Sequence, residues 1–158
     1  CEEVDLIYLD KAFVFSIETT MRQGELLNAM WEHVNFERRT LFIPDTKTGY
    51  LSKELTSNRT IPLSSLAIKT LRQLPRHLSG KIFPITRDML NQKWKLAKKK
   101  AKIKDYHWHD NRCTGISWCF EKKNLDVSEV MTISGHKSPT ILLKRYTKLN
   151  PTKIAMKI

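Results

Sequence analysis

Residues 135–146, Gly135-His136-Lys137-Ser138-Pro139-Thr140-Ile141-Leu142-Leu143-Lys144-Arg145-Tyr146, read as a junction between two helices. Glycine adopts the left-handed backbone that closes a helix, and serine followed by proline is the usual N-cap and first helical residue. A final helix therefore starts at Pro139 and carries Tyr146 on its third turn. Immediately upstream, Asp126 and Glu129 have the spacing of a capping box for a short helix holding Val127, Val130, Met131 and Ile133, which Gly135 ends. Further back, the stretch from His109 to about Lys123 reads as a helix carrying Ile116, Cys119 and Phe120. Thr86 opens another, with Leu90, Trp94, Ala97 and Ala101 on one stripe and Lys93, Lys95, Lys98, Lys99, Lys100, Lys102 and Lys104 over much of the rest. Ser64 or Ser65 caps a helix with Ala67, Leu71, Leu74 and Leu78 on one face and Gly80 just past its end.

Toward the N-terminus, residues 1–18 place Val4, Leu6, Ile7, Leu9, Phe13, Val14 and Phe15 in a pattern closer to helix than to strict alternation. Thr20 and Gln23 have the capping-box form, followed by an apolar stripe of Leu26, Leu27, Met30 and Trp31, which puts Arg22 in a first helical turn. Two short runs rich in Leu, Ile, Phe and Thr, 38–44 and 59–63, predict a hairpin with Lys47 where its first strand meets the loop. The expected fold is α+β, mostly α-helical, with a small antiparallel sheet in the N-terminal half. It forms one domain over residues 1–158, long enough to bury a core without staples.

Lysine and arginine total 28 against 16 acidic residues, a formal charge of +12, which favours a polyanionic partner, nucleic acid before anionic membrane. No run of about 18 apolar residues could span a bilayer, and no signal-peptide pattern opens the chain. The expectation is a soluble, cytoplasmic protein. Cys1, Cys113 and Cys119 are odd in number and lack metal-ligand spacing, so they read as plain thiols in a reducing compartment, with no metal or cofactor expected.

Cleaving a phosphodiester needs an in-line nucleophile, neutralisation of the non-bridging oxygens and a proton for the leaving alkoxide. Arg22 and Arg112 suit the second task, because a guanidinium holds two phosphate oxygens at once and stays charged. His109 lies three residues before Arg112, so both project from one helical face. Lys47, between turn-forming Asp45 and Gly49, is the general-acid candidate. His136 at a helix end could meet a phosphate oxygen or the leaving group, and Tyr146 would be the nucleophile. Each also has an ordinary structural reading: Arg22 paired with Glu25, the histidines flanking a buried Trp108, Tyr146 in the core, the lysine run a solvated face.

Order and separation favour the chemical reading, because the pieces together resemble the catalytic domain of the tyrosine recombinase (phage integrase) family. Thr19-Thr20-Met21-Arg22-Gln23-Gly24-Glu25-Leu26 is similar to that family's Thr-Gly-x-Arg-x-x-Glu-Leu box, with Thr20 in place of the glycine. Thr46-Lys47-Thr48-Gly49 followed by Arg59-Thr60-Ile61-Pro62-Leu63 resembles its hairpin lysine and return strand. Trp108-His109-Asp110-Asn111-Arg112-Cys113 matches the His-x-x-Arg box, with asparagine where leucine is common and Cys113 where histidine is. Ser134-Gly135-His136 is similar to the Leu-Gly-His box and Lys144-Arg145-Tyr146-Thr147 to the nucleophile box.

The resemblance implies a site-specific DNA recombinase that cleaves and rejoins strands through a 3'-phosphotyrosine, without metal ions or ATP. It implies double-stranded DNA as partner, a tetramer on DNA joined through a C-terminal tail (147–158), accessory DNA-bending proteins, and a separate N-terminal core-binding domain outside these residues. Two rivals share the features: strand relaxation as in type IB topoisomerases, and a catalytically inactive basic DNA-binding module.

Overall fold

A long helix whose apolar residues face several directions at once must be enclosed on several sides, and α1 (Glu2–Thr19) is such a helix. In the computed structural model, which describes residues 2–44 and 58–146, α1 packs chiefly against three other helices. These are α3 (Ser65–Arg72), α4 (Arg87–Lys100) and α5 (Asp110–Glu121). Ala12 and Phe15 are fully buried there, the latter against Phe83 with ring centroids 5.6 Å apart. The closest approach is at Gly115 of α5, where a Cβ would collide with the Ile17 carbonyl oxygen. Buried Asn111 adds a polar tie, its Nδ2 donating to Ser16 Oγ at 3.1 Å.

Between α1 and α3 lie α2 (Gln23–Leu27) and a three-stranded antiparallel sheet in the order β1 (Val34–Asn35), β2 (Thr40–Ile43), β3 (Arg59–Pro62). The register pairs Leu41 with Ile61 and Ile43 with Arg59. Period-2 alternation sends Leu41, Ile43 and Ile61 into the core and Phe42 outward. The expected hairpin strands are thus present, joined by β1; Lys47 lies outside the described residues, as does the tail 147–158.

Local chemistry sets most helix ends where the sequence places them. Ser64 Oγ accepts from Ala67 N at 3.1 Å, and Thr86 Oγ1 from Met89 N at 3.2 Å. Asp126 and Glu129 close a reciprocal capping box on α6 (Val127–Ser134), which ends at Gly135 with φ +70°. Ser138 Oγ accepts from Thr140 N at the start of α7 (Pro139–Tyr146). A satellite core of Ile116, Cys119, Val130, Ile133 and Leu142 docks α7 on α5 and α6. Leu143, next along the helix, is 46% exposed.

Two expectations need correction. The α3 stripe does not extend to Leu78: the helix stops at Arg72, three residues before Pro75, and Leu78 is fully exposed. Nor does Thr20 cap α2. The helix starts at Gln23 with Arg22 as its N-cap, because the carboxylate of Glu25 reaches back to the Arg22 backbone N–H at 2.8 Å.

Candidate active site

The last carbonyls of an α-helix have no partner within the helix and carry its negative pole, so they attract cations. Two such ends meet here, and Arg112 fills the space between them. Its Nη1 donates to the Thr20 carbonyl just beyond α1 at 2.6 Å, and its Nη2 to the Ser134 carbonyl at the end of α6 at 2.7 Å. With the whole residue only 4% exposed, Arg112 is a structural bridge as well as a charge. Thr20 bends the chain to make this possible: it has φ +54°, a left-handed conformation that costs a β-branched residue about 1–2 kcal/mol. Its buried Oγ1 has no hydrogen-bond partner, while its methyl group lies beside Gly115.

A second arginine braces the same helix end. Arg59, on β3, donates through Nε to the Ile133 carbonyl at 3.3 Å, and its other two nitrogens clamp Glu25 at 2.9 and 2.8 Å. This bidentate pair is nearly closed to solvent, with side-chain exposures of 10% and 9%. The guanidinium lies directly over Gly135, where a Cβ would come within 2.8 Å of Arg59 Cζ, so position 135 needs glycine for both its backbone angle and its space. Glu25 also accepts from Arg22 Nη1 at 2.8 Å. Burial alone would raise the Glu25 pKa, but hydrogen bonds from the Arg59 side chain and the Arg22 backbone, with the Arg59 charge, hold it at about 2.

Arg22, His109 and Arg112 line one cleft of about 110 Å³, together with Met21, Gln23 and Trp108. Arg22 keeps its side chain 49% exposed, and His109 stands exposed at the N-cap of α5, so both face an incoming ligand. Trp108 is buried edge-on against Trp94, which stacks on Phe13, tying the cleft wall to α4 and α1. Immediately beside Arg112, His136 places Nδ1 2.7 Å from Ser134 Oγ and 3.5 Å from Arg112 Nη2. Its pKa is lowered to about 4, first by burial and then by the charges of Arg112, Arg22 and Arg59.

Of the residues expected from sequence, Arg22, His109 and Arg112 therefore line one cleft, and His136 joins them through its contact with Arg112. Tyr146 lies in the last turn of α7, which Leu142 docks on α5, the helix of Arg112, and on α6, the helix that leads into His136. Sequence reasoning missed Arg59 and Glu25 as parts of the site; both stand inside the boxes quoted above, yet only their mutual contact shows their task. Three guanidinia against one carboxylate leave the cleft net positive, able to hold a dianionic or bridging phosphate.

Lys95, Lys99 and Lys100 of α4 are exposed, whereas Leu90 of the same helix is buried. Among the described residues no group of three or more His, Cys, Asp or Glu side chains could hold a metal ion, and no helix is long and apolar enough to cross a membrane.

Comparison with known proteins bears on the family and the fold. The family model described as "Phage integrase family" matches residues 2–153. A shufflon-specific DNA recombinase of Escherichia coli is 37% identical over 146 residues, which cover 92% of this chain and 36% of that protein. A putative integrase/recombinase of Haemophilus influenzae is 34% identical over 146 residues, 91% of this chain and 45% of that protein. The chain thus spans less than half the length of these curated relatives. Among solved structures, XerA recombinase superposes with a TM-score of 0.70 at 18% identity, covering 99% of this chain and 62% of that one. A lambda integrase dimer bound to a COC' core site gives 0.68 at 18% identity, covering 93% and 56%. At that identity the likeness establishes the fold.

Proposed function

The chain belongs to the phage integrase family, and from that premise we propose that it is the catalytic part of a site-specific DNA recombinase. The observation that carries the reading is that Arg22, His109 and Arg112 line one cleft, with His136 against Arg112.

In the proposed reaction Arg22 and Arg112 neutralise the two non-bridging oxygens of the scissile phosphate. The Tyr146 phenol oxygen attacks phosphorus and the bond to the 5'-oxygen breaks, leaving a 3'-phosphotyrosine. Exposed His109 takes the phenol proton, and Lys47 supplies one to the departing 5'-oxygen. Attack by the 5'-hydroxyl of another strand reverses these steps and completes exchange. Because the phosphotyrosine conserves the bond, the cycle needs neither metal nor nucleotide.

Double-stranded DNA is the substrate, gripped in part by the lysines of α4, and four copies exchange tails 147–158 while assembled on it, with DNA-bending proteins shaping the complex. A preceding domain closes the clamp, and the enzyme works in the cytoplasm on the bacterial nucleoid or a phage or mobile element.

A nicked suicide substrate tests the reading. The full-length protein should yield a denaturation-resistant DNA adduct that Tyr146→Phe abolishes. Binding without any adduct would leave an inactive DNA-binding module, and an adduct that resolves only to relaxed circles would identify a topoisomerase-like activity.

A further inference from the structure

Residues two apart on a helix do not face each other, so the 2.7 Å contact between Ser134 Oγ and His136 Nδ1 needs a special turn. The left-handed Gly135, with φ +70°, supplies it by folding the chain back at the end of α6. Ser134 is fully buried, and its hydroxyl meets the imidazole within the helix end that Arg112 and Arg59 brace.

The two neighbours of Nδ1 differ in what they can offer. Arg112 Nη2, at 3.5 Å, has only protons to give, whereas a serine hydroxyl can give or accept. A proton on Nδ1 would point at a guanidinium N–H. With the lone pair on Nδ1, the Ser134 hydroxyl donates to it and the arginine faces it favourably. The proton of a neutral ring then sits on Nε2.

We propose that Ser134 is a positioning residue that fixes His136 as the Nε2–H tautomer, so that the imidazole meets the scissile phosphate as a hydrogen-bond donor and not as a base. The tautomer stands on the contacts above; its meeting with phosphate rests on the recombinase reading. The charged groups that face the ring, Arg112, Arg22 and Arg59, are all cations, and with burial they keep it uncharged. A neutral donor at Nε2 cannot receive the tyrosine proton there, which assigns that proton to another acceptor.

The test is nitrogen-15 NMR of the full-length protein labelled at histidine, free of DNA at neutral pH. The His136 signal is identified among the chain's five histidines by its loss in His136→Gln. The expected spectrum shows Nδ1 as the unprotonated, pyridine-type nitrogen and Nε2 as the protonated one. The opposite tautomer, or a charged ring, overturns the proposal. Ser134→Ala should shift both signals toward an average of the two tautomers and slow adduct formation about tenfold, the worth of one hydrogen bond, with DNA affinity unchanged. Ser134→Thr, which keeps the hydroxyl, should restore both; unaltered signals in Ser134→Ala would remove serine from the role. Absence of any adduct from the wild-type protein, with the expected tautomer present, would refute the recombinase reading and leave the tautomer assignment standing.

Discussion

The cleft and the outer face of α4 are both rich in positive charge, but they hold it in opposite ways. At the cleft, Arg112 and Arg59 are anchored on helix-terminal carbonyls and on Glu25, with little or no contact with solvent. Along α4, Lys95, Lys99 and Lys100 are exposed, and among the described residues they join no ion pair. The first arrangement spends charge on geometry, so each group is part of the scaffold. The second spends it on potential, so the groups add together and any one is dispensable.

Substitutions should separate these two regimes. Arg112→Ala leaves the Thr20 and Ser134 carbonyls without their shared donor and should lower unfolding free energy by about 2–5 kcal/mol, read from the urea midpoint. It should also abolish the covalent adduct. Tyr146→Phe should abolish the adduct equally while moving the midpoint by less than about 0.5 kcal/mol; comparable destabilisation in both variants would erase the distinction.

Glu25→Gln removes one partner of a closed ion pair and should cost roughly 3 kcal/mol. The pH dependence has a definite sign. The Glu25 pKa is depressed to about 2, so its contribution is complete above the usual carboxylate range near 4.5 and disappears as pH falls toward 2. His136 is depressed to about 4, so the unfolded chain binds the proton more readily and stability declines from pH 6.5 down to 4. His136→Gln should flatten the stability profile in that upper window alone, and Glu25→Gln in the lower one.

Thr20→Gly relieves a left-handed β-branched residue with an unpartnered hydroxyl and should stabilise by about 1 kcal/mol in thermal melts, provided the Arg112 bridge stays intact. Replacing Lys95, Lys99 and Lys100 together by glutamine should change stability by under about 0.5 kcal/mol. If these lysines contact phosphates, the log–log slope of DNA affinity against salt should become shallower by up to about 3. An unchanged slope would place the DNA elsewhere.

The parts of the fold legible in sequence are those set by neighbours along the chain. Asp126 with Glu129, Gly135, and Ser138 before Pro139 each complete a hydrogen bond or a backbone turn within four residues, so their spacing carries the information. The boundary at Thr20 was misread because the real cap, Glu25 reaching back to Arg22, starts two residues later than the Thr-x-x-Gln pattern suggested. Leu78 matched a periodicity that Pro75 interrupts. Arg22, His109, Arg112 and His136 could be named as a group, yet nothing local reveals that Arg112 is buried or that Ser134 holds His136. The Arg59–Glu25 clamp joins groups 34 positions apart, and such a pair has no spacing rule to betray it.

The double anchorage of Arg112 bears on how a gene of this kind decays. On the proposed mechanism, a copy released from selection for strand exchange has no further use for the Tyr146 hydroxyl, whereas losing Arg112 unpins two helix ends. Dead copies kept for another purpose would thus retain Arg112 long after their chemistry has gone. Its presence in a degraded genomic remnant would then testify to a folded protein, and under the same proposal the tyrosine is the better witness to a living enzyme.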